Sequence, residues 1–120
     1  MNTLSFHMHL LSDVISIDKY PFTKLIIDRE ISEMEYDELF ILLEELNETF
    51  IKQQSEGLLD FTVLLVHFAG MLNMKLHPDE TMVALLKEGH YPELMEKFIT
   101  IVNQSNRRGS RRYLKPVNSF

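Results

Sequence analysis

Between Ser32 and Gly57 the chain writes out one long helix with both ends marked. Ser32 and Glu35 stand three apart as a capping box. The Ser32 hydroxyl can accept the Glu35 backbone N–H, and the Glu35 carboxylate can accept the Ser32 N–H. Ile31 and Tyr36 sit where a hydrophobic staple would brace that cap. Tyr36, Leu39, Phe40, Leu43, Leu46 and Phe50 then recur every three or four residues, the spacing that gathers side chains on one helix face. Gly57 closes the run, because glycine enters the left-handed conformation that ends a helix. The segment predicts a helix of about 24 residues, about 36 Å long.

The rest of the chain is punctuated in the same way. Asp60 is a good N-cap for a helix carrying Phe61, Leu64, Leu65, Phe68, Ala69 and Leu72, with Leu59 and Leu64 as a second staple. Val63, Val66 and Met71 make that segment apolar on nearly all sides, which predicts a central position in a bundle. Gly70 inside it costs about 1 kcal/mol relative to alanine, so a close helix approach is expected there. Pro21, Pro78 and Pro92 each suit a first helical turn, where a missing N–H costs nothing. Asp79, Glu80 and Glu93 follow where the helix dipole favours acids. The Pro78 helix stops at Gly89, and the Pro92 helix runs through Leu94, Met95, Phe98, Ile99 and Val102. Leu4, Met8, Leu11, Val14 and Ile15 keep a helical period near the N-terminus. No segment alternates with a period of two, so no strand is predicted. The expected fold is all-α, a compact bundle of five or six helices with short loops and sequential helices as neighbours.

A chain of 120 residues buries roughly two thirds of its unfolded surface and needs no staple. It has no cysteine, which excludes disulfides, thiolate-ligated metals and cysteine catalysis. The net charge of −6 is unevenly spread. All 18 acids lie between Asp13 and Glu96, and residues 1–105 hold only 7 of the 12 bases, so that body carries −11. The last 15 residues hold Arg107, Arg108, Arg111, Arg112 and Lys115 and carry +5. Residues 106–120 lack an apolar period and contain Pro116. They are expected to form a flexible basic tail on a single helical domain, 1–105. The most apolar window, Phe61–Leu72, is about 12 residues long against the roughly 20 of a bilayer span, so no membrane segment is expected. No base precedes Lys19, so export is not expected and the cytoplasm is the assigned compartment.

Candidate chemistry is sparse. The four glycines are too dispersed for a nucleotide-binding loop, and neither HExxH nor a Glu-x-x-His pair occurs. His7 and His9 point to different helix faces, while His9 and Asp13 are four apart and could share an ion. His67 reads as a core or interface histidine, and His77 and His90 as residues leading into helices. Asp37, Glu44 and Glu48, with Glu45 beside them, form an acidic stripe: a solvated face, or a site for a cation or acid–base pair. Glu48–Lys52 and Glu93–Lys97 are spaced as helix ion pairs. The methionines read as core filler or an adaptable groove.

One set of residues carries a resemblance. Tyr20-Pro21-Phe22, Leu25-Ile26-Ile27-Asp28, Glu56-Gly57, Phe61, Phe68-Ala69-Gly70 and Leu72-Asn73 are followed by Lys75-Leu76, Glu80-Thr81, Ala84-Leu85, Glu88-Gly89, Tyr91, Glu93-Leu94-Met95 and Phe98-Ile99. Over about residues 20–101 this order resembles the YhaI-like family of small uncharacterised helical proteins from Bacillus-type bacteria. The resemblance implies an all-α cytoplasmic bacterial protein, and it brings no reaction, ligand or catalytic residue. The basic tail falls outside it.

The expected function is therefore non-enzymatic and cofactor-free: a protein–protein interaction or homo-oligomerisation module. The long helix and the apolar N-terminal stripe are the elements with surface to bury. The alternative is a nucleic-acid-associated accessory acting through Arg107, Arg108, Arg111, Arg112 and Lys115, with Tyr113 stacking on a base. A third reading is a cation or acid–base site on the acidic stripe, which requires a concave setting.

Overall fold

A computed structural model describes residues 3–109, with side chains described through Asn106. Six α-helices span α1 Thr3–Val14, α2 Pro21–Asp28, α3 Glu33–Ser55, α4 Thr62–Met71, α5 Pro78–Lys87 and α6 Pro92–Gly109. Among the described residues there is no strand.

The caps explain where the helices begin and end. The Glu35 N–H donates to Ser32 Oγ at 3.1 Å, and the Ser32 N–H donates to Glu35 Oε1 at 2.9 Å. Gly57 and Gly89 take φ of 84° and 81° and close α3 and α5. In each case the residue after the glycine donates to a carbonyl five back: Leu58 to Gln53 and His90 to Leu85, both at 2.9 Å. α2 ends by the same motif without glycine. Glu30 sits at φ 53°, and the Ile31 N–H reaches the Ile26 carbonyl at 3.0 Å. Pro21, Pro78 and Pro92 each open a helix, as expected. α4 starts one residue later than expected, with Phe61 at its N-cap. Asp60 instead accepts both the Thr62 N–H, at 3.0 Å, and the Thr62 hydroxyl, at 2.7 Å. Those bonds hold the Asp60 carboxyl below its ordinary range. Leu59 is 84% exposed, so no staple forms on that side.

Three sequential hairpins, α1–α2, α3–α4 and α5–α6, join through α2 against α5 and α4 against α6. The packing order is thus α1, α2, α5, α6, α4, α3. The core gathers Phe22, Leu43, Phe68, Leu85, Leu94 and Phe98, each at most 1% exposed. Phe22 meets Phe40 edge-on with centroids 5.9 Å apart and meets His90 at 5.6 Å. Phe50 stands on Phe61 at 4.8 Å, and Phe68 lies against Phe98 at 5.7 Å.

Two expectations are corrected. α4 is not central: only its Leu64–Phe68 stripe is buried, continued by Phe61 and Leu72 beyond its ends, and Val63, Val66 and Met71 face outward. A uniformly apolar helix gives no phase to its pattern, so composition alone overstates burial. Nor does Gly70 admit a neighbouring helix, since a Cβ there would meet nothing within 4 Å. α6 runs on through Gly109, beyond Val102, where its apolar period ends. Residues 103–106 are exposed, so that turn extends by backbone propagation from the packed part rather than by burial.

Candidate interaction surfaces

α1 meets α2 through a mixed face, with Leu4 and Met8 opposite Ile26, Ile27 and Ile31 across a shallow groove, and Ser12 makes its buried polar contact. Ser12, its one buried residue, donates to the Asp28 carboxylate of α2. Lys24 Nζ donates to the Ser12 carbonyl at 2.9 Å and to its hydroxyl at 3.1 Å, and stands 3.6 Å from Asp28. His9 Nε2 lies 3.9 Å from the Glu30 carboxylate, so His9 turns toward α2 rather than toward Asp13. This docking leaves Phe6, Leu10, Leu11 and Val14 facing outward, with Val14 80% exposed. A helix ordinarily buries its apolar stripe and shows water its polar one. Here the eight residues of α2 are too short to cover the apolar surface of a twelve-residue partner.

A second surface is the groove between α3 and α4, about 440 Å³ in volume. Ile41, Leu42, Met71 and Leu72 give it an apolar floor, while Glu38, Glu45 and His67 stand at its edge. Among the described residues, no Lys or Arg lines it. Glu35 and Asn73, also in its lining, belong to a polar knot on Glu35. Oε1 accepts the Lys75 ammonium at 2.8 Å as well as the Ser32 N–H, and Oε2 accepts the Asn73 amide at 3.0 Å. These donors stabilise the charged carboxylate, led by Lys75, and hold the Glu35 pKa at about 2. Nothing comparable neutralises Glu38 or Glu45 among the described ion pairs and hydrogen bonds.

The expected site residues separate. Asp37, Glu44 and Glu48 are all exposed on α3, opposite the buried Leu39–Leu46 stripe and outside the groove. That setting is convex and solvated, so the concave cation or acid–base site is not formed. Among the described residues, no group of three His, Asp or Glu is placed to hold a metal ion. His67 is exposed at the groove edge rather than buried in a core. His77 is the N-cap of α5, its carbonyl accepting from the Thr81 N–H and hydroxyl. His90 is packed between Phe22 and Phe40. Lys97 places its ammonium 5.9 Å from the Phe61 ring centroid, and no ion pair joins Glu93 to Lys97 or Glu48 to Lys52 among the described residues. Of the basic residues, Arg107 and Arg108 fall on the last turn of α6, while Arg111, Arg112 and Lys115 lie outside the described residues.

One device escaped sequence reasoning altogether. Tyr20, the N-cap of α2, makes no side-chain cap bond. Glu88, sixty-five residues from Thr23, accepts the Thr23 N–H at 2.7 Å and its hydroxyl at 3.2 Å. A cap supplied from another helix leaves no local spacing to read.

The fold and these surfaces define a class: a helical protein with an acidic body, outward apolar faces and, among the described residues, no helix long and apolar enough to cross a membrane. The chain belongs to the DUF1878 family, proteins of unknown function, matching it over residues 1–103. The match thus takes in five complete helices and most of α6, and ends before Arg107.

Proposed function

We propose that the chain is a non-enzymatic interaction module that self-associates through the outward face of α1. The observation that carries this is the outward face of that helix, where Phe6, Leu10 and Val14 are exposed while Ser12 is its one buried residue. Contiguous apolar surface of this kind marks an interface in a chain that stays in solution. A closed two-fold pairing of identical faces is the economical way to cover it. Kinship with YhaI-like proteins and a cytoplasmic setting, where a cysteine-free chain needs no oxidising compartment, belong to the same reading.

Light scattering coupled to gel filtration tests it. The expected result is a dimer or larger assembly at high micromolar concentration, with the Leu10→Glu, Val14→Glu variant folded and monomeric. A strict monomer for the unsubstituted chain overturns the reading. Nucleic-acid contact through the basic residues is the competing idea. It gains nothing from the groove, whose edge is acidic and would repel a phosphate backbone.

A further inference from the structure

We propose that the α3–α4 groove receives the C-terminal segment, residues 110–120, of a second copy of this chain. The inference rests on the self-association reading and gives it a second, chemically distinct contact.

Charge complementarity is the first argument. α3 carries Glu33, Glu35, Asp37, Glu38, Glu44, Glu45 and Glu48 against the single base Lys52. Glu35 is already committed to Lys75, while Glu38 and Glu45 are exposed on the groove edge. The segment after Gly109 has the opposite character. It holds Arg111, Arg112 and Lys115 and no acid. Arginine meets a carboxylate through two parallel N–H donors, so two arginines opposite Glu38 and Glu45 match in number as well as in sign.

The apolar pattern is the second. Tyr113 and Leu114 stand between Arg112 and Lys115, and Val117 and Phe120 follow them. The groove offers Ile41, Leu42, Met71 and Leu72 as a floor for such side chains. A purely basic segment would have no use for that floor, and a purely apolar one would have no use for the acidic edge.

Chain length decides whose segment fits. α6 departs from the Phe40 end of α3, where His90 packs on Phe40. It reaches the Phe50 end, where Lys97 lies over Phe61 and Phe61 packs on Phe50. Gly109 lies twelve residues beyond Lys97, about 18 Å further along the helix axis. The groove sits back at Glu38–Glu45. Residues 110–120 span about 36–40 Å at full extension. The return past the end of α3 takes up nearly all of that length, leaving little of the chain's own segment to lie in the groove. A second copy delivers the same residues without the return.

The chain's lack of cysteine makes the test clean. Ser119→Cys supplies a single thiol for a nitroxide on the full-length protein. Spin-labelled protein at natural isotope abundance is mixed with ¹⁵N-labelled unsubstituted protein, so only contacts between copies are seen. The expected result is that amides of residues 38–45 and 67–73 lose most of their intensity and regain it when the nitroxide is reduced. The loss should disappear when the ¹⁵N-labelled chain carries Glu38→Lys and Glu45→Lys, exposed positions whose substitution leaves the core intact. It should weaken in molar salt, where the screening length falls to about 3 Å. No loss at the groove overturns the proposal, as does a loss seen only when label and ¹⁵N share one molecule. Light scattering on the same mixture separates the two readings. A dimer without relaxation at the groove removes this inference and leaves the α1 interface, whereas a monomer removes both.

Discussion

Lys75 reaches across forty residues of sequence to donate to Glu35 at 2.8 Å, on the same oxygen that receives the Ser32 N–H. The capping box of α3 is therefore also a long-range tether. Lys75 Nζ donates as well to the Glu30 carbonyl at 3.0 Å, and the Arg29 guanidinium donates to the Lys75 carbonyl at 3.1 Å. The turn between α2 and α3 and the loop between α4 and α5 are thus fastened at one point. These two pairs of sequential helices have no extensive backbone contact of their own.

Acid should loosen that point. The folded Glu35 carboxyl holds its charge down to about pH 2, whereas in the unfolded chain it returns to the ordinary 4.5. Its contribution is fully present above about pH 4.5, shrinks as the pH falls toward 2, and is gone below that. Thermal melts followed by circular dichroism between pH 7 and 2 should show the midpoint falling through this window. Glu35→Gln, which keeps a box-competent side chain, should start lower at pH 7 and fall less on acidification. The slope left over belongs to other lowered carboxyls such as Asp60. Parallel curves for the two proteins would show that Glu35 does not titrate as described.

Much of this architecture is legible in the sequence, and the gaps have physical causes. Local spacing carries Ser32–Glu35, the three leading prolines and the stops at Gly57 and Gly89, because each acts within one helical turn. The stop after α2 is hidden because Glu30 takes the left-handed conformation without being glycine. The Glu88 cap on Thr23 and the Lys75 tether on Glu35 are hidden because their partners are 65 and 40 residues apart. The outward faces were only half visible. Periodicity showed that α1 has an apolar stripe, but the polar residue that docks it, Ser12, gave no local signal. In α4 the uniform apolar composition left the buried side without a phase. Of the groove's acidic edge, Glu45 is legible only as a neighbour of the Asp37, Glu44 and Glu48 stripe, and Glu38 carries no local signal, because both gain meaning only from α4 beside them.

Phe22 is the position where a single truncation should cost most. It is 1% exposed and joins α2 to Phe40 of α3 and to His90 beyond α5. Phe22→Ala removes a ring from a junction of three elements, and core phenylalanine truncations cost about 3–5 kcal/mol. Urea unfolding should show a loss in that range. Leu59→Ala, at an exposed position, should stay within about 0.5 kcal/mol. A loss at Phe22 no larger than at Leu59 would contradict the junction.

α1 should be the loosest of the described helices, because Ser12 is its one buried residue and no apolar side chain of it enters the core. In hydrogen exchange its amides should open well before those of α3 or α6 in dilute protein. As concentration rises, self-association should cover Phe6, Leu10 and Val14, and protection in α1 should rise while α3 stays unchanged. The Leu10→Glu, Val14→Glu variant should lose that concentration dependence. Protection of α1 equal to that of α3 at the lowest concentration would mean that its docking to α2 suffices by itself.

Backbone conformation alone separates three further substitutions. A Cβ at Gly70 or at Gly89 would meet nothing within 4 Å, so neither change introduces a clash. Gly70 lies inside α4 without a positive φ, where alanine is favoured over glycine by about 1 kcal/mol. Gly89 sits at φ 81°, where a side chain costs about 1–2 kcal/mol. Gly70→Ala should therefore raise the urea midpoint and Gly89→Ala should lower it. Glu30→Gly should act in the opposite sense to Gly89→Ala, since it removes a Cβ from φ 53° in the same kind of helix stop. That gain is partly offset by loss of the His9 contact. Unchanged m-values across the three would confirm that the unfolded surface is not what changes. A lowered midpoint for Gly70→Ala would overturn the reading that this glycine packs against no other part of its own chain.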